Sequence, residues 1–501
     1  MPITSPHPDV AIPAVSLHEH VLGGAAARGD KPALIDGTTG AVTTYAELAE
    51  RVRAVAAGLA ELGIRQGDAV GLLAPNSVDW PVAFHAVIAL GGIVTSINPL
   101  LTPDEIGKQL ADAGARAVIV AEPLRGAVDG MERVIPLEAL PTGDGEPPIA
   151  AVDPAADLAV LPFSSGTTGL SKGVMLTHRN LVANLEQVRS VHRIGPDDTL
   201  IGLLPFFHIY GQTIVVNLGL AAGATVVTMP RFDMGEFLRL LEEHRVTRAH
   251  VAPPVVLGLA KAPGVEGRSL ALRVVISGAA PLDADTAERA GERLGAPIRQ
   301  GYGMTEASPV THMAGDEGLA DQDPGAIGVL LPGTEGRLVD PETLEDTDGA
   351  GELWIRGPQV MRGYLANDAA TAATLVEDGW LRTGDVARVD DAGVFRIVDR
   401  VKELIKYKGY QVPPAELEAL LLGHPAVADA AVIPALDDAG EEVPKACVVA
   451  SGDLDPDELM AWVAERVAPY KRIRAVELVG EIPRSASGKI LRRLLRDGAQ
   501  S

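Results

Sequence analysis

The stretch Leu161-Pro-Phe-Ser-Ser-Gly-Thr-Thr-Gly-Leu-Ser-Lys-Gly173 decides how the rest of the chain is read. The apolar run Leu158 to Leu161 leads into it as a strand. Four hydroxyl side chains, Ser164, Ser165, Thr167 and Thr168, then gather around Gly166, with Gly169 and Lys172 beyond. The two glycines let the backbone turn with several N–H groups on one side, the hydroxyls donate further hydrogen bonds, and Lys172 adds a positive charge. These are the parts of a phosphate cradle. The stretch is not a G-x-x-x-x-G-K-[ST] loop, because Ser171 stands at the second glycine and Gly173 follows Lys172.

On either side, strand and helix patterns alternate. Helical spacing over Thr44–Leu62, Asn76–Ala89 and Leu100–Ala113 is interleaved with short apolar runs at Ala69–Leu73, Ile93–Ile97 and Ala117–Val120. After the loop, strands at Ala224–Thr228, Arg248–Val251 and Val274–Ser277 alternate with helices at Met234–His244 and Pro254–Ala260. This is the pattern of βαβ units in a mainly parallel sheet. Beyond Gly325 the character changes. Alternating segments (Glu335–Val339, Gly351–Arg356, Val394–Val398) imply short antiparallel strands in a small β-barrel-like subdomain. The last hundred residues carry a β-α-β-β-α-β order, with Asp455 placed to cap a helix, which fits a small α+β lid. The fold class is therefore α/β. The expected divisions are a large N-terminal domain over 1–400, a charged hinge at 401–403 centred on Lys402, and a mobile C-terminal lid over 404–501.

With 501 residues and 47% hydrophobic content, more than one core is expected. The 43 Lys and Arg against 67 Asp and Glu give a net charge of -24, which argues against a nucleic-acid partner. An anionic ligand must be held by local devices. The single cysteine, Cys447, rules out an intramolecular disulfide and points to a reducing, cytoplasmic compartment. Met1 to Val15 shows no signal-peptide pattern. The uncharged stretches Trp80–Thr102 and Thr199–Pro230 are broken by Pro, Gly, Asn or His, so they read as buried packing rather than membrane spans.

Four further stretches carry candidate chemistry. Pro205-Phe-Phe-His-Ile-Tyr210 sets His208 among aromatics, as a buried structural histidine or a site residue. Gln300-Gly-Tyr-Gly-Met-Thr-Glu306 brings an aromatic face, a hydroxyl and a carboxylate onto a glycine-loosened turn, where Tyr302 could stack a base, Thr305 bond a phosphate and Glu306 ligate Mg²⁺. Trp380-Leu-Arg-Thr-Gly-Asp385 ends in an acid able to accept two hydroxyls, or to cap a turn. Ser485-Ala-Ser-Gly-Lys-Ile490 puts Lys489 on a glycine turn before a basic helix.

Their joint order resembles the adenylate-forming superfamily of acyl-CoA synthetases, firefly luciferase and peptide-synthetase adenylation domains. It is most similar to 4-coumarate–CoA ligase-like acyl-CoA synthetases. The motifs also include Asp399-Arg-Val-Lys-Glu-Leu-Ile-Lys-Tyr-Lys-Gly-Tyr-Gln-Val412 and together run from Leu161 to Ile490. The resemblance implies a two-step reaction. A carboxylate attacks the α-phosphate of Mg²⁺-ATP to give an acyl-adenylate, and the thiol of CoA then displaces AMP. It further implies that Ser164 to Lys172 hold the β,γ-phosphates, Thr305 the α-phosphate and Glu306 the Mg²⁺, with Tyr302 facing adenine, Asp385 and Arg400 at the ribose, and Gln300 and Gly301 also among the nucleotide-binding residues. Lys489 would bridge acyl carboxylate and α-phosphate, and His208 would sit beside the carboxylate. Lys406 and Gln411 would approach the nucleotide, and Lys408 and Gly409 would line the pantetheine path.

By the same resemblance the acyl pocket is built from Tyr210, Ile214, Ile276, Ala279, Gly303, Pro309 and Val310. Ile214 and Ile276 replace more polar or differently sized residues of plant phenylpropanoid enzymes. They favour a compact apolar acid: cinnamate-like, another aryl acid, or a short-to-medium aliphatic one. An amine or a carrier-protein thiol in place of CoA stays open at this level, because the acceptor approaches largely past backbone. An ATP-binding protein without catalysis is disfavoured, since Lys489, Glu306 and the loop are all present.

Overall fold

The computed structural model describes residues 2–165, 171–318, 322–407, 410–437, 442–485 and 488–498. Strand Ala69–Leu73 is buried along its whole length and pairs in parallel with both Ile93–Ile97 and Ala117–Val120. Its unbroken apolar character is what a strand covered on both faces requires. It lies inside an eight-stranded sheet that Ser171–Thr177 joins antiparallel. The first long helix, Tyr45–Glu61, starts where Thr44 and Glu47 cap one another reciprocally, and it buries Leu48, Val52, Val55 and Leu59 along one stripe.

A second, nine-stranded sheet positions the site. Its parallel run is ordered Ile298–Gly303, Val274–Ser277, Arg248–Val251, Thr199–Gly202, Thr225–Thr228 and Pro32–Asp36. The barrel-like subdomain is a six-stranded antiparallel sheet in which the long strand Trp380–Val389 pairs with three others. Past a turn at 401–403, hairpin Ile405–Tyr407/Tyr410–Val412 precedes a three-stranded sheet, Val427–Leu436, Glu442–Ala450 and Ala475–Leu478. The small unit has its own core, built on Ile405, Val412, Leu417, Leu421, Val432, Val448, Leu459 and Val463. Asp455 caps helix Pro456–Ala464 as its sequence position implies.

Three details bear on the site. Helix Asp79–Ala89 begins three residues after Asn76, whose amide instead ties two sheets together: it donates to the carbonyls of Gly202 and Leu204 at 2.9 Å each and accepts from Phe206 N–H at 2.7 Å. Gly211–Asn217 winds as a buried π-helix, an uncommon form that concentrates at functional sites. The last helix starts at Arg492, so Lys489 stands on a turn before it.

Packed histidines make the fold acid-sensitive. Burial pushes the imidazole pKa down to about 4 at His18 and His178 and to about 3 at His312, so all three are neutral in the folded chain at neutral pH. Unfolding frees them to titrate near 6.5. Below that pH the unfolded chain binds more protons, and stability is lost as pH falls, on the order of 1–2 kcal/mol per histidine by pH 5. The apparent Tm should therefore drop by at least several degrees, roughly 3 °C or more, between pH 7.5 and pH 5. An unchanged Tm over that range would show that the three rings titrate normally inside the fold.

Candidate active site

Several of the sequence-predicted residues lie beyond the carboxyl ends of four neighbouring parallel strands. Thr199–Gly202 runs out into the loop bearing His208, Arg248–Val251 into Ala252 and Pro254, Val274–Ser277 into Gly278 and Ala279, and Ile298–Gly303 into Thr305 and Glu306. In open α/β sheets this edge is where ligands bind. Asn76 holds the first of these loops in place through Phe206.

The two arms of the hydroxyl-rich stretch are paired strands. Strand Phe163–Ser165 pairs antiparallel with Ser171–Thr177, which sets Lys172 opposite Ser164. Gly166, Thr167, Thr168 and Gly169 at its tip, and the side chain of Ser165, lie outside the described residues. Ser164 Oγ donates to Glu306 Oε1 at 3.2 Å, and the Tyr364 hydroxyl donates to the same oxygen at 2.8 Å. The Lys172 ammonium lies 4.7 Å from the centre of the Tyr364 ring. Tyr364 thus fastens the expected phosphate lysine and the expected metal carboxylate to one point. Glu306 is only 7% exposed. Tyr364 drew no attention in the sequence, because a lone tyrosine in Met361-Arg-Gly-Tyr364 carries no pattern.

A second cluster joins the barrel-like sheet to the parallel one. Asp385 and Arg400 are cross-strand partners, with Arg400 Nε 3.2 Å from Asp385 Oδ1, while the Tyr302 hydroxyl donates to Asp385 Oδ2 at 2.6 Å. Burial, then the Asp385 charge, holds the Tyr302 phenol well above its ordinary pKa, so it stays a donor. Gln300 spends its amide on the backbone of Leu282 and Pro324, so its side chain holds the loop, and Gly301 pairs with Met313 in the ladder, where a Cβ would lie 3.6 Å from Ile276 Cγ2.

Lys489 reaches this cluster from the small unit. Its turn is closed by Ser485 N–H to Lys489 O at 2.8 Å and Gly488 N–H to Ser485 O at 2.8 Å. Gly488 has φ +85°, and a Cβ there would lie 3.3 Å from Ala252 Cβ and Pro254 Cδ, so glycine brings the turn flat against the large domain. Desolvation and then Arg400 lower the Lys489 pKa, while Asp385, Glu306 and Glu403 act in the opposite sense. Burial and then the Lys489 charge push His208 down to about 4. The Tyr210 N–H donates to His208 Nδ1 at 3.2 Å, so the neutral ring carries its proton on Nε2. His208 is therefore a fixed donor, not an acid, at neutral pH.

In the acyl wall, Tyr210, Ile214, Ile276 and Val310 belong to one apolar cluster. Gly278 accommodates the Tyr210 ring, since a Cβ there would sit 2.8 Å from Cε1, and Ala279 adopts φ +74°, a strained value for a residue with a side chain. Gly303 leaves space for Pro309, whose carbonyl would lie 2.1 Å from a Cβ. The wall also has a polar partner that the sequence did not reveal: His250 Nδ1 is 3.4 Å from the Tyr210 hydroxyl.

At the junction, Val401 N–H donates to Gly384 O at 2.9 Å, and Glu403 and Leu404 N–H both donate to Arg400 O. Lys402 is exposed in that turn, and Lys406 is exposed on the hairpin opposite Gln411. Lys408, Gly409 and the side chain of Gln411 lie outside the described residues. Asp399, just before the turn, accepts from Ala415 N–H at the start of helix Pro414–Leu422 at 2.9 Å. Among the described residues no group of three or more His, Cys, Asp or Glu is arranged to hold a metal. No described helix is long and apolar enough to cross a membrane.

The AMP-binding enzyme model matches residues 23–365, and the AMP-binding enzyme C-terminal domain matches residues 416–489. The chain belongs to the AMP-binding enzyme family. It is 45% identical to a 4-coumarate–CoA ligase of Oryza sativa subsp. japonica, over 98% of this chain and 96% of that protein. Identity to a 4-coumarate–CoA ligase of Solanum tuberosum is 41%, over 98% and 95%. Among solved structures, ATP-bound MatB from Rhodopseudomonas palustris superposes with TM-score 0.88 at 29% identity, covering 96% of this chain and 99% of that one. The apo form of the same protein gives 0.78 at 28% identity, over 97% and 99%. The anthranilate CoA ligase AuaEII in complex with anthranoyl-AMP gives 0.88 at 28% identity, over 98% of both chains. Family membership and the α/β fold with a large N-terminal and a small C-terminal domain thus agree with the sequence reading.

Proposed function

We propose that this chain is an ATP-dependent, AMP-forming carboxylic acid–CoA ligase acting on an aryl, cinnamate-like or short-to-medium apolar acid. The observation that carries the reading is the packing of the Lys489 turn, through Gly488, against Ala252 and Pro254 of the large domain, where the lysine charge acts on His208 and the charges of Arg400, Asp385 and Glu306 act on the lysine. The substrate range rests on the apolar wall and on kinship with the 4-coumarate–CoA ligases.

In the first step a carboxylate oxygen bonds to the α-phosphorus of ATP, the bond to the β-phosphate oxygen breaks, and pyrophosphate leaves. The hairpin from Ser164 to Lys172 holds the β,γ-phosphates, and Thr305 the α-phosphate. Asp385, steadied by Tyr302 and Arg400, accepts the ribose hydroxyls. Lys489 sits between the acyl carboxylate and the α-phosphate, where its charge offsets what builds in the transition state. His208 Nε2–H donates toward the carboxylate. A Mg²⁺ ion held by one carboxylate and by substrate phosphates suits the single buried Glu306, and it would neutralise charge on the transferring group. In the second step the thiol of CoA gives up its proton to solvent, its sulfur bonds to the acyl carbon, and AMP leaves with the electron pair of the broken acyl–phosphate bond. Lys489 must first withdraw, so the unit beyond 401–403 turns as a lid about Lys402. The closer match to ATP-bound than to apo MatB supports reading this pose as the adenylating one. The single buried Cys447 supports a cytoplasmic setting.

The test is to incubate the protein with ATP, Mg²⁺ and cinnamate, with and without CoA, and to analyse products by mass. Cinnamoyl-CoA and AMP are expected with CoA. Formation of an amide or carrier-bound acyl group in preference to the CoA thioester would reassign the acceptor. Substituents facing Ile214 and Ile276 must be apolar, since an unpaired buried hydroxyl costs about 1–3 kcal/mol, whereas one reaching Tyr210 meets a partner. Tyr210→Phe should therefore lower kcat/KM for p-coumarate by roughly tenfold relative to cinnamate. An equal effect on both acids would place the phenol of Tyr210 away from the acyl end.

A further inference from the structure

We infer that Arg484 is a positioning residue for Lys489, bracing the turn that presents the lysine against the sheet of the small unit. The proposal rests on the adenylating role given to Lys489 above. Arg484 Nη1 donates to the carbonyl of Gly488, the residue immediately before Lys489, at 3.1 Å. Its Nη2 donates to Asp429 Oδ1, on strand Val427–Leu436, at 2.8 Å. The guanidinium fork thus ties the peptide that leads into Lys489 to a fixed strand, a two-partner task for which its planar geometry is suited and a lysine is not. On its other side the turn is held by Lys489 N–H to Ser485 Oγ at 3.1 Å and by the short bridge between Arg484 and Ile490.

Position matters here because Lys489 works by charge. Its ammonium acts on developing charge only if it is preorganised, and a displacement of about 1 Å can cost on the order of a hundredfold in rate. Gly488 packs against Ala252 and Pro254 and fixes one face of the turn, but only in the present orientation of the small unit. The Arg484 brace is different in kind. Arg484, Asp429, Gly488 and Lys489 all belong to the small unit, so the brace travels with the lysine and keeps it formed when the unit turns away. Arg484 and Asp429 are each about a quarter exposed (23% and 24% for their side chains), so their loss leaves no stranded buried charge, and the three-stranded sheet keeps its own core.

The test measures acid-dependent ATP–pyrophosphate exchange and the conversion of chemically supplied acyl-AMP to acyl-CoA in Arg484→Ala, Arg484→Lys, Lys489→Ala and the double variant Arg484→Ala/Lys489→Ala. Arg484→Ala should lower kcat of exchange about 10- to 30-fold, with the KM for ATP within about twofold and acyl-AMP conversion unchanged. Arg484→Lys should fall between it and wild type. In the Lys489→Ala background the second substitution should add nothing, because a residue acting only through Lys489 has no effect once that side chain is gone. Additive loss in the double variant, or equal loss in both half-reactions, would overturn the proposal. If Arg484→Ala fails to fold, Asp429→Ala cuts the same brace from its other end, and it must show the same selective loss of exchange. Absence of exchange in the unmodified protein would overturn the adenylation reading itself and is separable from either result.

Discussion

Replacing Lys489 by alanine should slow acid-dependent ATP–pyrophosphate exchange by about a hundredfold or more, while chemically supplied acyl-AMP is still converted to acyl-CoA at close to the unmodified rate. The magnitude is that of removing one preorganised charge from a site shielded from water. The selectivity follows from placement. Lys489 is carried on a turn of the small unit and reaches Asp385, Glu306 and His208 only while Gly488 lies against Ala252 and Pro254. In the proposed mechanism Lys489 withdraws before a thiol meets the acyl carbon, so the lysine should not also assist the second step. The loss should appear in kcat rather than in the KM for ATP, since the hairpin, Glu306 and Asp385 are untouched. Two half-reactions damaged alike would mean that the lysine serves both.

Lys402→Pro should leave ATP affinity within about threefold and trap the adenylate on the enzyme, with thioester formation slowed by an order of magnitude or more. Proline holds φ near −65° and removes an N–H, which restricts a position that must take at least two conformations if the small unit turns. The hairpin proposed to hold ATP, Glu306 and Asp385 all precede the turn. Asp399 also bears on this junction, because its carboxylate receives the first free N–H of helix Pro414–Leu422 across the turn, a contact made in the present orientation. Burial lifts the Asp399 pKa to about 6. Single-turnover measurements of each half-reaction separate the outcomes: wild-type rates in both would move the hinge elsewhere, and collapse of ATP binding would mean that the junction had unfolded.

Much of the parallel architecture was legible because its signals are local. Strands Ala69–Leu73 and Val274–Ser277 appear where apolar runs lie between helical patterns, and the Asp455 cap falls where its side chain takes a free N–H of the helix that follows. The motif residues Ser164, Lys172, Glu306, Asp385 and Lys489 could be named because their types and order are specific, and in the structure Ser164 meets Glu306 directly while the charges of Asp385 and Glu306 act on Lys489. What escaped depends on contacts between residues far apart in sequence. Tyr364 meets Glu306 across 58 positions, His250 meets Tyr210 across 40, and Arg484 meets Asp429 across 55. None of these pairs leaves a periodic or compositional trace. Asn76 was misread as helical for a related reason: its side chain satisfies the backbone of a different sheet, and nothing near it in the chain announces that partner.

The most direct test of adenylation is acid-dependent ATP–pyrophosphate exchange, measured without CoA on the unmodified protein across cinnamate, p-coumarate, benzoate and medium-chain aliphatic acids. Exchange that requires one of these acids and Mg²⁺, accompanied by the matching acyl-AMP in the mass spectrum, is the expected result. ATP binding with no exchange for any carboxylic acid, or release of ADP in place of AMP, would contradict it.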